Sequence, residues 1–155
     1  MTQLRGLLLA IDLVTRRRDE ASAVVVQAQS VVLVARNQVG QLESYAAETE
    51  ATWALGSRAS AQPEIVQHYD QFMDRLQQAV EMQRAVVDDH LRATALAKQV
   101  LLEAEIRVAG LNRLLEKRRT SMARTQAGRD QKQLDALSAL QFRRLHPGLD
   151  SLETP

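Results

Sequence analysis

Apolar residues recur along the first third of the chain at alternating intervals of three and four residues. Stepping in this way from Leu4 to Trp53 gives fifteen positions, and thirteen of them are apolar, with Arg18 and Thr49 as the exceptions. The positions between the two ends are Leu7, Ile11, Val14, Arg18, Ala21, Val25, Ala28, Val32, Ala35, Val39, Leu42, Ala46 and Thr49. A mean spacing of 3.5 residues is typical of a helix in a left-handed coiled coil. The pattern therefore predicts a long first arm, residues 2–55.

A second pattern of the same spacing follows residue 63, and twelve of its fifteen positions are apolar. The fifteen positions are Ile65, Tyr69, Phe72, Leu76, Ala79, Gln83, Val86, His90, Ala93, Ala97, Val100, Ala104, Arg107, Leu111 and Leu114. A neighbouring apolar stripe competes with this pattern and consists of Val87, Leu91, Leu101 and Val108. We expect a second helical arm over residues 64–144, with a local phase shift between Gln83 and Arg107.

The stretch between the arms, residues 56–63, combines the signals of a helix end and a helix start. Gly56 suits a helix C-terminus because it tolerates a left-handed backbone without a Cβ clash. Pro63 suits a first helical turn, where its missing N–H costs nothing, and Ser60 or Gln62 would flank that start. A turn here lets the two arms fold back on each other.

Antiparallel pairing of the arms follows from this turn. Residue i of the first arm would lie near residue ~119 − i of the second, so that Val32 faces Val86 and Val87. The predicted fold is all-α, a long antiparallel two-helix coiled-coil hairpin that forms one domain over residues 1–144.

The end of the chain is less regular. After Leu115 the apolar spacing thins, Gly128 weakens the helix, and His146-Pro147-Gly148 ends the helical pattern. We expect residues 145–155 to be a disordered tail.

Composition argues against catalysis by this chain. Cysteine is absent, which excludes disulfides and thiolate metal sites. The three histidines, His68, His90 and His146, are far apart and form no metal-binding pair with carboxylates. A Gly-rich phosphate-binding loop is also missing. We therefore expect no enzyme activity, no metal and no cofactor.

Targeting and membrane signals are weak. Asp12 interrupts the apolar run Leu7–Val14, and the basic cluster Arg16–Arg18 follows the run, which is a poor secretory signal. No apolar segment reaches the 18 residues expected of a membrane-spanning helix.

Charge is divided along the chain. Residues 43–89 hold nine acidic and three basic side chains, a net charge of −6, whereas residues 107–144 hold ten basic and three acidic ones, a net charge of +7. This polarity suits a protein with different partners at its two ends, and the alternative is an ordinary solvated coiled-coil surface. Aromatic residues for base stacking are missing from the basic region apart from Phe142, so we expect no nucleic-acid partner.

Four short motifs in this order resemble the FliJ family, the small stalk proteins of the bacterial flagellar type III export apparatus. The motifs are Gln38-Val39-x-x-Leu42-x-x-Tyr45-x-x-Glu48, Tyr69-x-x-Phe72-x-x-x-Leu76-x-x-Ala79-Val80, Leu111-x-x-Leu114-x-Glu116-x-Arg118 and Arg129-x-Gln131-Lys132-x-x-Asp135. Together they span residues 38–135 around the predicted turn. Thr49 and Ala136 depart from the family pattern, which usually has Tyr and often Glu at these positions.

The resemblance implies a fold similar to the central stalk of rotary ATPases and a set of partners. Family members bind the hexameric export ATPase with their terminal end inside its ring, contact the cytoplasmic domain of the export gate, and engage empty export chaperones. A cytoplasmic protein at the inner-membrane export apparatus, peripheral to the membrane through its partners only, is the expected location.

The family's gate-contacting surface maps onto Phe72, Leu76 and Ala79, with Gln83 at the next position of that face. The alternative is that this face belongs to the seam between the two arms. For the ATPase ring we expect contacts from the basic side chains Arg113, Lys117, Arg118, Arg124 and Arg129, against the alternative that they only keep the helix soluble.

Two other functions remain open at this point. One is the equivalent stalk of a virulence type III secretion system, and the other is a generic coiled-coil chaperone for amphipathic segments. Stimulation of an ATPase would distinguish a stalk from a chaperone.

Overall fold

Two long helices make up the part of the chain that the computed structural model describes, residues 2–56 and 62–148 with side chains from Leu4 onward. The first helix, α1, is Thr2–Gly56, and the second, α2, is Pro63–Leu145. The two helices pack against each other, and no strand occurs within the described residues. The prediction of an all-α helical hairpin is confirmed.

The start of α2 has the geometry of a proline-initiated helix. The Gln62 carbonyl accepts hydrogen bonds from the backbone N–H groups of Ile65 at 3.0 Å and Val66 at 3.2 Å, and Pro63 is the first helical residue. Gly56 ends α1 without a left-handed backbone, since no glycine in the described residues has a positive φ. The rest of the predicted turn, residues 57–61 including Ser60, lies outside the described residues.

Four side-chain pairs establish that the helices run in opposite directions. They are Gln38 with Gln83, Glu43 with Arg84, Tyr45 with Phe72, and Trp53 with Tyr69. The residue numbers in each pair add to between 117 and 127, close to the expected value of about 119.

The predicted apolar rows of α1 are the rows that face the other helix. All fifteen positions from Leu4 to Trp53 are buried or half-buried, including Arg18 and Thr49. The most buried of them are Val32 at 5% exposed and Ala35 at 3%. The spacing of 3.5 residues therefore placed the seam of α1 correctly over its whole length.

In α2 one predicted row is correct and the other is displaced by one residue. The correct row is Tyr69, Leu76, Gln83, His90, Ala97, Ala104 and Leu111. The second row of buried or half-buried residues is Val66, Met73, Val80, Val87, Thr94, Leu101, Val108 and Leu115. The predicted members one position earlier are exposed except Ala79, and they are Ile65, Phe72, Val86, Ala93, Val100, Arg107 and Leu114.

The predicted phase shift between Gln83 and Arg107 is also wrong, because the alternating spacing runs unbroken from Val66 to Leu115. The observed row is bulky and apolar except at Thr94, whereas the predicted one contains Arg107. Burying the bulkier row removes more apolar surface from water.

Contacts within the chain group its residues into two compact units, Leu13–Val108 and Met1–Asp12 with Ala109–Pro155. In the first unit one of the two seam rows of α1 consists of small side chains, Ala21, Ala28 and Ala35. Thr94 is buried there, and its hydroxyl donates to the His90 carbonyl at 2.8 Å. Such a seam buries little apolar volume per turn.

In the second unit, Leu7 is buried and Leu111 and Leu115 are half-buried, but every described residue from Glu116 to Gly148 is exposed. The helix ends at Leu145, and the ring of His146 stacks on Phe142 with centroids 4.5 Å apart. Residues 149–155 lie outside the described residues, so the disordered tail and the single domain over residues 1–144 stay predictions.

Candidate partner-binding surfaces

The four residues expected to contact an export gate differ in how much surface they expose. Leu76 is 8% exposed, so the hairpin itself covers it. The Gln83 amide donates to Gln38 Oε1 at 2.7 Å, and Ala79 is half-buried. Phe72 is 41% exposed. A partner would therefore reach mainly Phe72, and the gate contact of the whole set stays a prediction.

Phe72 belongs to a group of aromatic side chains that the sequence analysis did not identify as a unit. Its ring meets Tyr45 edge-on, with centroids 6.2 Å apart at 81°, and Trp53 stacks on Tyr69 at 4.4 Å and 9°. Four of the chain's five aromatic residues lie in this group. Two of them precede the predicted turn and two follow it, and this placement was the signal in the sequence, because antiparallel pairing brings such positions together.

An open cavity of about 390 Å³ lies beside this group. Its lining residues are Tyr45, Glu48, Thr49, Thr52, Trp53 and Tyr69. The Thr49 and Thr52 hydroxyls each donate to a backbone carbonyl four residues earlier, at 2.8 Å. Within the described residues the buried Nε1 of Trp53 has no hydrogen-bond acceptor. The cavity is therefore an aromatic groove with an acidic margin at Glu48.

The five basic residues expected at an ATPase ring are all exposed side chains of α2, and four of them lie beyond Glu116. They are Arg113, Lys117, Arg118, Arg124 and Arg129. At about 100° per residue, three of them share one face of the helix and two lie on another face about a third of a turn away. The first face holds Arg113, Lys117 and Arg124, and the second holds Arg118 and Arg129.

None of these five cations forms an ion pair within residues 2–56 and 62–148. Two of the three carboxylates in residues 107–144 accept hydrogen bonds from amides instead, since Gln126 donates to Asp130 at 3.0 Å and Gln131 donates to Asp135 at 3.1 Å. Both faces therefore present uncompensated positive charge, which is suited to carboxylates on a partner.

Two further kinds of functional feature, a metal site and a membrane-spanning helix, are not found in the described part of the chain. No group of three or more His, Asp or Glu side chains there is placed to hold a metal ion. Helices long and apolar enough to cross a membrane are likewise missing from the described residues.

Comparison with known proteins identifies the family. Neither the comparison with curated proteins nor that with solved structures gave a match. The family model described as flagellar FliJ protein matches residues 7–146, which covers both helices almost completely. The chain therefore belongs to the FliJ family of flagellar export proteins.

Proposed function

We propose that this flagellar export component is a non-enzymatic stalk and adaptor that binds and stimulates the hexameric export ATPase and links it to the export gate. Support for the ATPase contact comes from the uncompensated cations on the exposed part of α2. Export chaperones are proposed as further partners, and the cytoplasmic face of the inner membrane as the location, on family grounds alone.

The basic residues suit a ring partner because they are spread over two faces of one helix. A helix inside a ring is surrounded by subunits, so cations such as Arg118 and Arg124 on different faces can meet carboxylates of different subunits. Long cationic side chains also interact favourably with the C-termini of helices. We infer that residues 113–129, the basic segment of α2, provide the ATPase contact.

Stimulation would arise from asymmetry. A single hairpin in a ring of six subunits cannot contact all six equally. Unequal contacts stabilise some subunit conformations over others, and a ligand shifts a conformational equilibrium only by such a difference in affinity. The stalk would thereby bias ring assembly and the order of turnover, while ATP hydrolysis remains the chemistry of the ring.

The gate contact is proposed at Phe72 and the adjoining Tyr45. Both rings are about half exposed, and they lie in the part of the sequence, residues 43–89, with a net charge of −6. Partly exposed aromatic rings are frequent hot spots of protein interfaces. Leu76 and Gln83 would support these rings from inside the hairpin.

The test measures ATP hydrolysis by the purified export ATPase with increasing amounts of the full-length protein. We expect the double variant Arg118→Glu, Arg124→Glu to need on the order of tenfold more protein for half-maximal stimulation, or to lose stimulation, at low and moderate salt. Circular dichroism should be unchanged, because both side chains are exposed.

A matched control carries the same change of charge elsewhere. Arg36→Glu with Arg92→Glu alters two exposed cations in the Leu13–Val108 unit and should stimulate like the unmodified protein. Phe72→Ala should weaken binding to the gate domain and keep ATPase stimulation. Equal stimulation by the Arg118, Arg124 variant and its control would refute the proposed ring contact.

A further inference from the structure

The two edges of the seam in the Leu13–Val108 unit have different chemistry. One edge carries the ion pair between Arg84 and Glu43, and we call it the ionic flank. The other carries the edge-on contact between Tyr45 and Phe72, and we call it the apolar flank. Glu43 and Tyr45 are two residues apart on α1, about 200° of helical rotation, so the two contacts lie on opposite sides of the seam.

Positions at seven-residue intervals from these contacts extend each flank along the helices. On the ionic flank they are Ser22, Gln29, Arg36 and Glu50 of α1, with Asp70, Gln77, Leu91, Lys98 and Glu105 of α2. On the apolar flank they are Arg17, Val24, Val31 and Gln38 of α1, with Ala79, Val86, Ala93 and Val100 of α2. The next row outward on the apolar flank holds Val34, Met82 and Leu96 among polar residues such as Gln41, Arg75 and Asp89.

The apolar flank leaves much of this surface in water. Val34 is 56% exposed, Met82 71% and Leu96 70%, and Val24 and Val100 are also more than half exposed. Exposed apolar side chains gathered on one flank are typical of an interaction site. The seam beneath it contains small or polar side chains such as Ala28 and Thr94, so the unit buries little apolar volume there.

We propose that a second copy of this chain covers the apolar flank, in antiparallel orientation, about a two-fold axis near Val34, Met82 and Val86. The interface is isologous, so each copy offers the same patch. A standard stable interface buries about 800 Å² on each partner, and the partly exposed side chains of both helices on this flank are available for it.

The distribution of charge along the chain favours the antiparallel orientation of the two copies. Residues 43–89 carry a net charge of −6, whereas residues 13–36 carry +2 and residues 90–108 carry +1. In a parallel dimer, residues 43–89 of one copy would lie on the same acidic residues of the other. In an antiparallel dimer, they lie on the basic residues 13–36 and 90–108 of the other copy. Around the proposed axis, Arg17 of one copy lies opposite Glu48 of the other, at the margins of the patch.

The first experiment measures the mass of the full-length protein in solution by sedimentation equilibrium over a range of concentrations. We expect a monomer–dimer equilibrium that Val34→Asp shifts at least about tenfold toward monomer. Val26→Asp is the matched control, because Val26 is a 63% exposed valine of α1 in the outward row of the ionic flank. It should dimerise like the unmodified protein, and both variants should keep their helicity.

The second experiment fixes the orientation, using the absence of native cysteine. Arg17→Cys chains mixed with Glu48→Cys chains should form a disulfide between copies. Neither variant should crosslink efficiently to itself. A monomer at every concentration, an equal effect of Val34→Asp and Val26→Asp, or self-crosslinking of Arg17→Cys would each overturn the proposal.

Because the covered flank includes Tyr45 and Phe72, the dimer and the proposed gate complex are alternative states of the chain. The failure of this inference leaves the ATPase proposal untouched, because the dimer is measured without the ring and the variants lie outside residues 113–129 of α2.

Discussion

The two parts of α2 show what makes a long helix pair with another. From Val66 to Leu115 the helix buries or half-buries a residue at every three- or four-residue step, whereas from Glu116 to Leu145 all its residues are exposed. The second part is not poor in leucine, since Leu134, Leu137 and Leu140 are all more than half exposed. A partner helix and not apolar content separates the two parts, because pairing at residue numbers that add to about 119 leaves almost no residue of α1, which begins at Thr2, opposite Glu116–Leu145.

The largest expected effect compares leucine truncation in the two parts. Leu76→Ala removes a side chain that is 8% exposed and should destabilise the Leu13–Val108 unit by about 2–5 kcal/mol. Leu137→Ala removes one that is 58% exposed and should change stability by no more than about 0.5 kcal/mol. Urea unfolding followed by circular dichroism and by the fluorescence of the single Trp53 measures both.

Comparable shifts of the unfolding midpoint in these two variants would contradict the comparison. They would mean that the exposed part of α2 packs as tightly in solution as the seam does.

A smaller effect is expected from glycine replacement. An added Cβ at Gly110 or Gly128 meets no atom within 4 Å, so alanine fits at both positions. Each Gly→Ala change in a helix interior should stabilise the local helix by about 1 kcal/mol. Hydrogen exchange of amides around residue 128 should slow about fivefold in Gly128→Ala.

Gly110→Ala provides the control for this measurement, because Gly110 lies within the packed part of α2. Its effect should be confined to amides near residue 110. Unchanged exchange around residue 128 in Gly128→Ala would show that something other than helix propensity limits opening there.

The smallest effect concerns the ion pair between Arg84 and Glu43, whose side chains are about half exposed. Exposed pairs contribute about 0.2–1 kcal/mol, and salt screens them. A double-mutant cycle with Arg84→Gln and Glu43→Gln should give a coupling energy in that range at low salt. A coupling that does not fall at 1 M salt would show that the pair is more shielded than its exposure indicates.

Sequence alone determined most of the fold because coiled-coil periodicity is a local property. Every seam position of α1 was found by stepping from Leu4, since no competing row of equal bulk exists beside it. In α2 the row beginning at Ile65 and Phe72 competed with the row of Val66 and Met73, and large residues at its start favoured the wrong choice. A comparison of the two complete rows identifies the buried one, because the row of Ile65 contains Arg107 where the row of Val66 contains Val108.

The surfaces were harder to predict than the seam. Stepping by heptads does not reveal that Leu76 is covered while Phe72 remains half exposed, because this depends on which of two adjacent rows is buried. The aromatic group likewise depends on the alignment of Trp53 with Tyr69 across the turn. Such alignment arises from tertiary packing, which a single-helix pattern does not contain.

The uniform alanine row of α1 does not by itself determine the alignment of α1 along α2. Ala21, Ala28 and Ala35 are identical at seven-residue intervals, so a shift of α1 along α2 by one heptad, about 10.5 Å, would find nearly the same surface. The stacked Trp53 and Tyr69 and the Gln38–Gln83 hydrogen bond have no such repeats to move to. These two contacts therefore fix the alignment of the two helices, and the alanine stretch takes its alignment from them.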